Sequence, residues 1–217
     1  MKQEVIDSII KNKLIVIVRG VEREKLIPLV EALYKGGVRL LEITFDASGR
    51  TSDEQTAENI KMLAREFDGR MYIGAGTVIC ERQAELTKNA GGRFIISPDT
   101  YENVIKRTNE LGMVSIPGAL TPSEVRCATR CGADFVKLFP VGSFGVSYVK
   151  ALTAPLNDVK LLAVGGITEN NMAEYLNSGI YGFGISSGIV KKDLINAGDF
   201  EGITRLALKY MDILKYV

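Results

Sequence analysis

The sequence predicts an α/β fold in which eight parallel strands close into a (β/α)8 barrel as a single domain over residues 1–217, and three observations lead there. Short apolar runs recur along the chain, the segments between them carry helical spacing, and glycines punctuate the boundary before one run after another. A length of 217 residues and 23.7 kDa suits one such TIM barrel and leaves no room for a second domain of ordinary size.

The runs are Leu14 to Val18, Arg39 to Phe45, Met71 to Ile73, Arg93 to Ile96, Met113 to Ile116, Phe135 to Phe139, Lys160 to Val164 and Tyr181 to Ile185. Successive first residues lie 25, 32, 22, 20, 22, 25 and 21 positions apart, which is the beat of a strand followed by a helix. Most runs are continuously hydrophobic, as strands covered on both faces must be. Between the first two, Leu26, Leu29, Val30 and Leu33 mark one face of a helix. Gly36-Gly37, Gly91-Gly92, Gly112, Gly132 and Gly179 stand where left-handed helix ends are wanted. Thr121-Pro122-Ser123-Glu124 reads as a capped helix start, and Thr168-Glu169 as another. The longest interval contains Asp46 to Asp53, a polar loop on the rim where such barrels bind substrate.

Composition narrows the function. With Lys+Arg 27 against Asp+Glu 26 the net charge is +1, too balanced for binding nucleic acid by counterion release. No histidine is present, so Ser-His-Asp, Cys-His and histidine-metal chemistries are excluded. The three cysteines, Cys80, Cys127 and Cys131, are an odd number without CxxC spacing and predict reduced thiols in the cytoplasm. Neither a signal-peptide core nor an apolar stretch of about 18 residues occurs, so no membrane association is expected.

In a barrel of this kind chemistry gathers where strands end. Lys137 interrupts Phe135-Val136-Lys137-Leu138-Phe139-Pro140; burial there lowers an amine's pKa and makes it a nucleophile able to form a Schiff base, unless it snorkels to the rim. Glu42 interrupts Leu40-Leu41-Glu42-Ile43-Thr44-Phe45, where burial raises a carboxyl toward neutrality and suits it to proton transfer. Arg19 ends the first run and either pairs with Glu42 or binds an anionic substrate. Gly74-Ala75-Gly76-Thr77 is placed after the third strand, where bare backbone can approach a ligand. Gly165-Gly166-Ile167 and Gly184 to Gly188 follow the last two strands, whose loops commonly cradle phosphate, although glycine there also serves tight turns. Cys127 and Cys131 read as small core residues, and Arg126 and Arg130 as a solvated face. Tyr210 and Tyr216, with Leu206, Ile213 and Leu214, read as packing of the last helix.

Taken in order, Val16-Ile17-Val18-Arg19, Leu41-Glu42-Ile43-Thr44, Gly74-Ala75-Gly76-Thr77-Val78, Ile96-Ser97-Pro98, Ile116-Pro117-Gly118, Val136-Lys137-Leu138-Phe139-Pro140, Gly165-Gly166-Ile167 and Ser187-Gly188-Ile189-Val190 resemble the KDPG/KHG aldolases. The resemblance implies a class I aldolase that cleaves 2-keto-3-deoxy-6-phosphogluconate to pyruvate and glyceraldehyde 3-phosphate, or 4-hydroxy-2-oxoglutarate to pyruvate and glyoxylate. It implies no metal and no cofactor, small-molecule 2-keto acid or sugar-acid phosphate substrates, and a homotrimer. By position Lys137 would form the Schiff base, Glu42 would move protons, and Arg19 would hold this pair and the substrate anion. Thr77 and Pro117-Gly118 would line the pyruvyl end, while Gly165, Gly166 and Ser187 would bind the distal phosphate. Some members carry arginine where this chain has Asp46 and threonine where it has Val164. Two other readings fit the bare residues: a sugar-phosphate isomerase or epimerase with Glu42 as base, and a phosphosugar-binding barrel without catalysis.

Overall fold

Strands and helices alternate through most of the described residues, as the apolar beat predicts. The computed structural model describes residues 1–215; Tyr216 lies outside them. The strands are β1 (Leu14–Val18), β2 (Leu40–Thr44), β3 (Tyr72–Gly76), β4 (Phe94–Ile96), β5 (Val114–Ile116), β6 (Gly118–Ala119), β7 (Val136–Leu138), β8 (Leu161–Val164) and β9 (Gly182–Ile185). Helix α1 (Lys2–Asn12) precedes them, and α2 (Arg23–Lys35), α3 (Asp53–Glu66), α4 (Glu81–Asn89), α5 (Glu102–Glu110), α6 (Pro122–Arg130), α7 (Gly145–Thr153), α8 (Met172–Leu176), α9 (Lys192–Ala197) and α10 (Phe200–Lys215) surround the sheet. No helix among the described residues is long and apolar enough to cross a membrane.

All neighbouring strands pair in parallel, in the order β5-β4-β3-β2-β1-β9-β8-β7-β6. The two ends of that order are consecutive stretches of one barrel strand, broken at Pro117, which has no N–H to give. The gap is bridged because the amides of Phe135 and Lys137 donate to the carbonyls of Ser115 and Pro117 at 3.2 and 2.8 Å. The fifth strand therefore reaches Ala119, beyond the expected end at Ile116. Pro117-Gly118 has the composition of a turn, but Gly118 pairs with Lys137 in register, its amide donates to the Asp99 carbonyl at 3.1 Å, and no side chain fits there, since a Cβ would lie 2.3 Å from the Pro98 carbonyl oxygen.

Side chains alternate across each strand, so every second residue enters the barrel. Ile15, Leu40, Phe94, Val114, Phe135 and Leu162 fill its N-terminal half, and Val5 and Ile9 of α1 plug the end. The opposite faces of the strands pack against the helices in a second, larger apolar layer. Gly74 gives up its side chain to make room for the Phe94 ring, whose Cδ2 would lie 2.4 Å from a Cβ there. Burial of each such large apolar side chain contributes about 1.5–3 kcal/mol.

Gly91 and Gly132 follow α4 and α6 at φ +87° and +98°, as expected of helix-ending glycines. Thr121 caps α6, its hydroxyl accepting the Glu124 amide at 3.4 Å while the Glu124 carboxylate accepts the amides of Leu120 and Thr121 at 2.8 Å. Thr168-Glu169 does not open a helix. Asn171 takes the Thr168 amide on its side chain at 2.8 Å, making a local turn that delays α8 to Met172. Cys127 is exposed and Cys131 half-buried at the end of α6, so Cys127 is not the core residue expected; α6 turns Val125 and Ala128 inward instead. Arg126 is held by Asp158 through two bonds of 2.7 and 2.9 Å and is not simply solvated.

Candidate active site

Among the described residues two charged side chains are buried, and both break the apolar filling of the barrel toward its C-terminal mouth. Glu42 lies two residues beyond Leu40 on β2, and Lys137 two beyond Phe135, so alternation turns both inward. Glu42 is 1% exposed, and its Oε2 has no hydrogen-bond partner among the described residues. Burial pushes its carboxyl up to about 7, against the opposing charges of Lys137 and Arg19. Lys137 is 9% exposed, with its Nζ 4.9 Å from the Phe139 ring centre. Burial lowers its pKa, the Glu42 charge opposes this, and Arg19 adds to it. An amine poor in water and a carboxyl near its midpoint thus feel each other's charge inside one cavity mouth.

Arg19 follows β1, and its guanidinium donates to the Thr77 hydroxyl at 3.0 Å. Thr77 sits at φ +57°, a conformation that a β-branched residue adopts only under constraint and that marks functional positions. Gly74-Ala75-Gly76 belongs to β3 itself and does not form the ligand-facing loop expected of it. Its glycines clear space for neighbouring side chains: a Cβ on Gly76 would lie 1.6 Å from Oε1 of Glu42. Pro117 and Gly118 flank Lys137, the first accepting its amide and the second paired with it in register.

On the far side of the mouth Gly165 and Gly166 take φ +84° and +78° in succession after β8. The Gly165 carbonyl accepts the Gly142 amide at 2.8 Å, and a Cβ on Gly166 would come within 2.9 Å of Gly142 Cα, so backbone packs on backbone. After β9 the Ser186 carbonyl accepts the amides of Ile189 and Val190 at 3.0 and 2.8 Å, closing a helical turn. The amides of Gly166, Ser187 and Gly188 have no acceptor among the described residues, and the Ser187 hydroxyl is exposed beside them. Free amides at the start of such a turn are suited to an anion.

Asp46 does not face this mouth as a free acid. Its carboxylate accepts the Ser48 hydroxyl, the Ser48 amide and the Thr51 amide at 2.6, 2.9 and 3.1 Å, and these bonds, the Ser48 hydroxyl's first, lower its pKa. The 46–51 loop is thereby folded onto its own acid, beside a cavity of about 580 Å3 that Arg19, Arg50 and Lys192 also line. Val164 presents methyl groups at the mouth, close against Gly184. Sequence reasoning missed the packing of Gly76 on Glu42 and a contact between Glu169 and Tyr210, where the Tyr210 hydroxyl donates at 3.0 Å.

A parallel barrel that holds an amine and a carboxylic acid together, both withdrawn from water at its C-terminal mouth, has the equipment of an enzyme that breaks carbon–carbon bonds through an imine. The sequence model of the KDPG and KHG aldolases matches residues 5–206. The chain belongs to the KDPG/KHG aldolase family and is a class I aldolase, a carbon–carbon lyase. It is 36% identical over 190 residues to a probable 2-dehydro-3-deoxy-6-phosphogalactonate aldolase of Rhizobium meliloti, covering 87% of this chain and 86% of that one. It is 30% identical over 215 residues to a 2-dehydro-3-deoxy-phosphogluconate aldolase of Haemophilus influenzae, covering 98% of both. A crystal structure of KDPG aldolase from Legionella pneumophila, with pyruvate captured as a covalent carbinolamine, superposes with a TM-score of 0.82 at 31% identity, covering 91% of this chain and 93% of that one.

Proposed function

We propose that this aldolase cleaves a 2-keto-3-deoxy-6-phospho sugar acid to pyruvate and glyceraldehyde 3-phosphate, with Lys137 as the nucleophile and Glu42 as the proton carrier. The observation that carries this reading is the burial of both groups in one mouth, with opposite displacements of pKa. Neutral Lys137 adds through Nζ to the C2 ketone, and the carbinolamine hydroxyl leaves as water with a proton from the Glu42 carboxyl, giving the protonated imine and the Glu42 carboxylate. Glu42, as carboxylate, takes the proton of the C4 hydroxyl while the C3–C4 bond breaks and its electron pair moves into the imine. Glyceraldehyde 3-phosphate leaves. The enamine regains a proton at C3 from Glu42, and water then releases pyruvate and restores the amine. A carboxyl near 7 gives and takes a proton in one cycle without a large cost in either direction.

Arg19 is assigned the substrate carboxylate together with Thr77, and Pro117 and Gly118 the wall beside the pyruvyl carbons; the 3.0 Å Arg19–Thr77 bond supports the first assignment. Gly165, Gly166 and Ser187 are assigned the phosphate, supported by the unengaged amides of their two loops. That cradle favours a phosphorylated substrate over 4-hydroxy-2-oxoglutarate, whose far end is a carboxylate on a shorter chain. The two relatives are named for a galactonate and a gluconate, sugar acids that differ in configuration at C4, so both belong in the assay. Pyruvate release is measured from both phosphorylated epimers and from 4-hydroxy-2-oxoglutarate; a kcat/KM highest for the dicarboxylate overturns the phosphate assignment.

The same reading includes a homotrimer in the cytoplasm. Ile79, Tyr101, Phe139 and Phe144, all on loops beyond strand ends, are 46%, 41%, 41% and 46% exposed and supply apolar surface for contact between copies. An odd cysteine count supports a reducing compartment. Sedimentation equilibrium at micromolar concentration tests the trimer, and a monomer mass overturns it.

A further inference from the structure

Tyr210 lies on α10, away from the amine and the carboxyl, and is fully buried. Its hydroxyl meets both loops assigned to the phosphate. It donates to Oε2 of Glu169, three residues past Gly166, at 3.0 Å. The same oxygen rests on Gly188, where a Cβ would lie 2.3 Å from it. Lys209, one residue earlier on α10, holds the other oxygen of Glu169 at 3.0 Å. Within the first loop Asn171 ties the Gly166 carbonyl at 3.0 Å and the Thr168 amide at 2.8 Å. The contacts run unbroken from the Gly166 peptide through Glu169 and the phenol to the Gly188 peptide.

We propose that Tyr210 is a positioning residue that fixes the spacing of the two phosphate-binding loops, with Glu169 as its partner. The proposal rests on the assignment of phosphate to Gly165, Gly166 and Ser187. An aromatic ring placed here only for packing needs no hydroxyl, and a hydroxyl needing only an acceptor does not require the close approach to Gly188. Both features together set how far apart the free amides of Gly166 and Ser187 stand. Hydrogen bonding and the Lys209 charge hold Glu169 down to about 2, and burial pushes Tyr210 up to about 12, so the clamp keeps one protonation state across the working pH range.

The test uses the full-length enzyme and inorganic phosphate as probe. Tyr210→Phe keeps the ring and removes the hydroxyl. In this variant the KM for the phosphorylated substrate and the inhibition constant of phosphate are expected to rise together by about five- to tenfold, the size of one lost hydrogen bond. The rate at which pyruvate exchanges its C3 protons, which needs imine formation but no phosphate, stays within about twofold. Glu169→Ala reproduces the Tyr210→Phe result, whereas Glu169→Gln, which keeps an acceptor for the phenol, stays near wild type. If phosphate inhibits wild type and Tyr210→Phe alike, the positioning role is overturned and the phosphate assignment stands. Equal losses in exchange and in phosphate affinity also overturn it, since they indicate general loosening. If phosphate fails to compete even in wild type, the phosphate assignment falls and the positioning role with it.

Discussion

Oε1 of Glu42 occupies the place where a side chain on Gly76 would begin, 1.6 Å from an ideal Cβ. A glycine two positions on from the one that admits Phe94 thus fixes where the carboxyl of the neighbouring strand stands. Gly76→Ala pushes that carboxyl away without touching Lys137. The expected result is a fall in kcat of about 100-fold, the usual consequence of misplacing a reacting group by an ångström, with imine formation retained. Steady-state kinetics alongside borohydride trapping of pyruvate separate the two effects; unchanged kcat contradicts the role given to Glu42.

Glu42 also ties stability to pH. Its carboxyl is raised in the fold from 4.5 to about 7, so between those values the folded chain holds a proton that the unfolded chain has lost. Its stabilising contribution is complete below about 4.5 and is lost as pH rises through about 7. The predicted difference is on the order of 3 kcal/mol between pH 4.5 and 8. Glu42→Gln removes it, so urea unfolding of the variant is flatter over this range than that of wild type, and the variant gains relative stability at pH 8. Parallel curves for the two proteins contradict the raised pKa.

The parts of this site that were legible in the sequence are those that violate burial rules locally. Lys137 and Glu42 stood out because each interrupts an apolar run, and the strands stood out because both of their faces are covered. What stayed hidden depends on three-dimensional neighbours. Glu169 and Tyr210 are 41 positions apart, and nothing in either segment announces the other. Pro117 and Gly118 have turn composition, yet Gly118 pairs with Lys137 in the barrel sheet, at a place where a neighbouring carbonyl admits no side chain. Asp46 stands where some family members carry arginine, and the sequence does not show that its carboxylate is consumed by two residues of its own loop.

Phe94 is fully buried in the barrel over the missing side chain of Gly74. Phe94→Ala leaves a cavity that the closed sheet cannot collapse onto, and the expected cost is about 3–5 kcal/mol. Denaturant titration measures it. Gly74→Ala is expected to be similarly damaging by the opposite route, through overlap with the ring.

Arg19 acts on both buried groups at once, lowering the pKa of Glu42 and of Lys137. Arg19→Met therefore raises both. The acidic limb of the kcat/KM profile is predicted to move to higher pH, and kcat/KM to fall by about 10- to 100-fold as a charged hydrogen bond is lost. A profile of unchanged shape contradicts the electrostatic link.

The most direct test is chemical trapping at position 137. Wild-type enzyme is incubated with pyruvate, reduced with borohydride, digested and analysed by peptide mass spectrometry. The predicted result is a reduced pyruvyl adduct on Lys137 alone, absent from Lys137→Met. An adduct on another lysine, or full cleavage activity in Lys137→Met, contradicts the imine mechanism drawn from this barrel mouth.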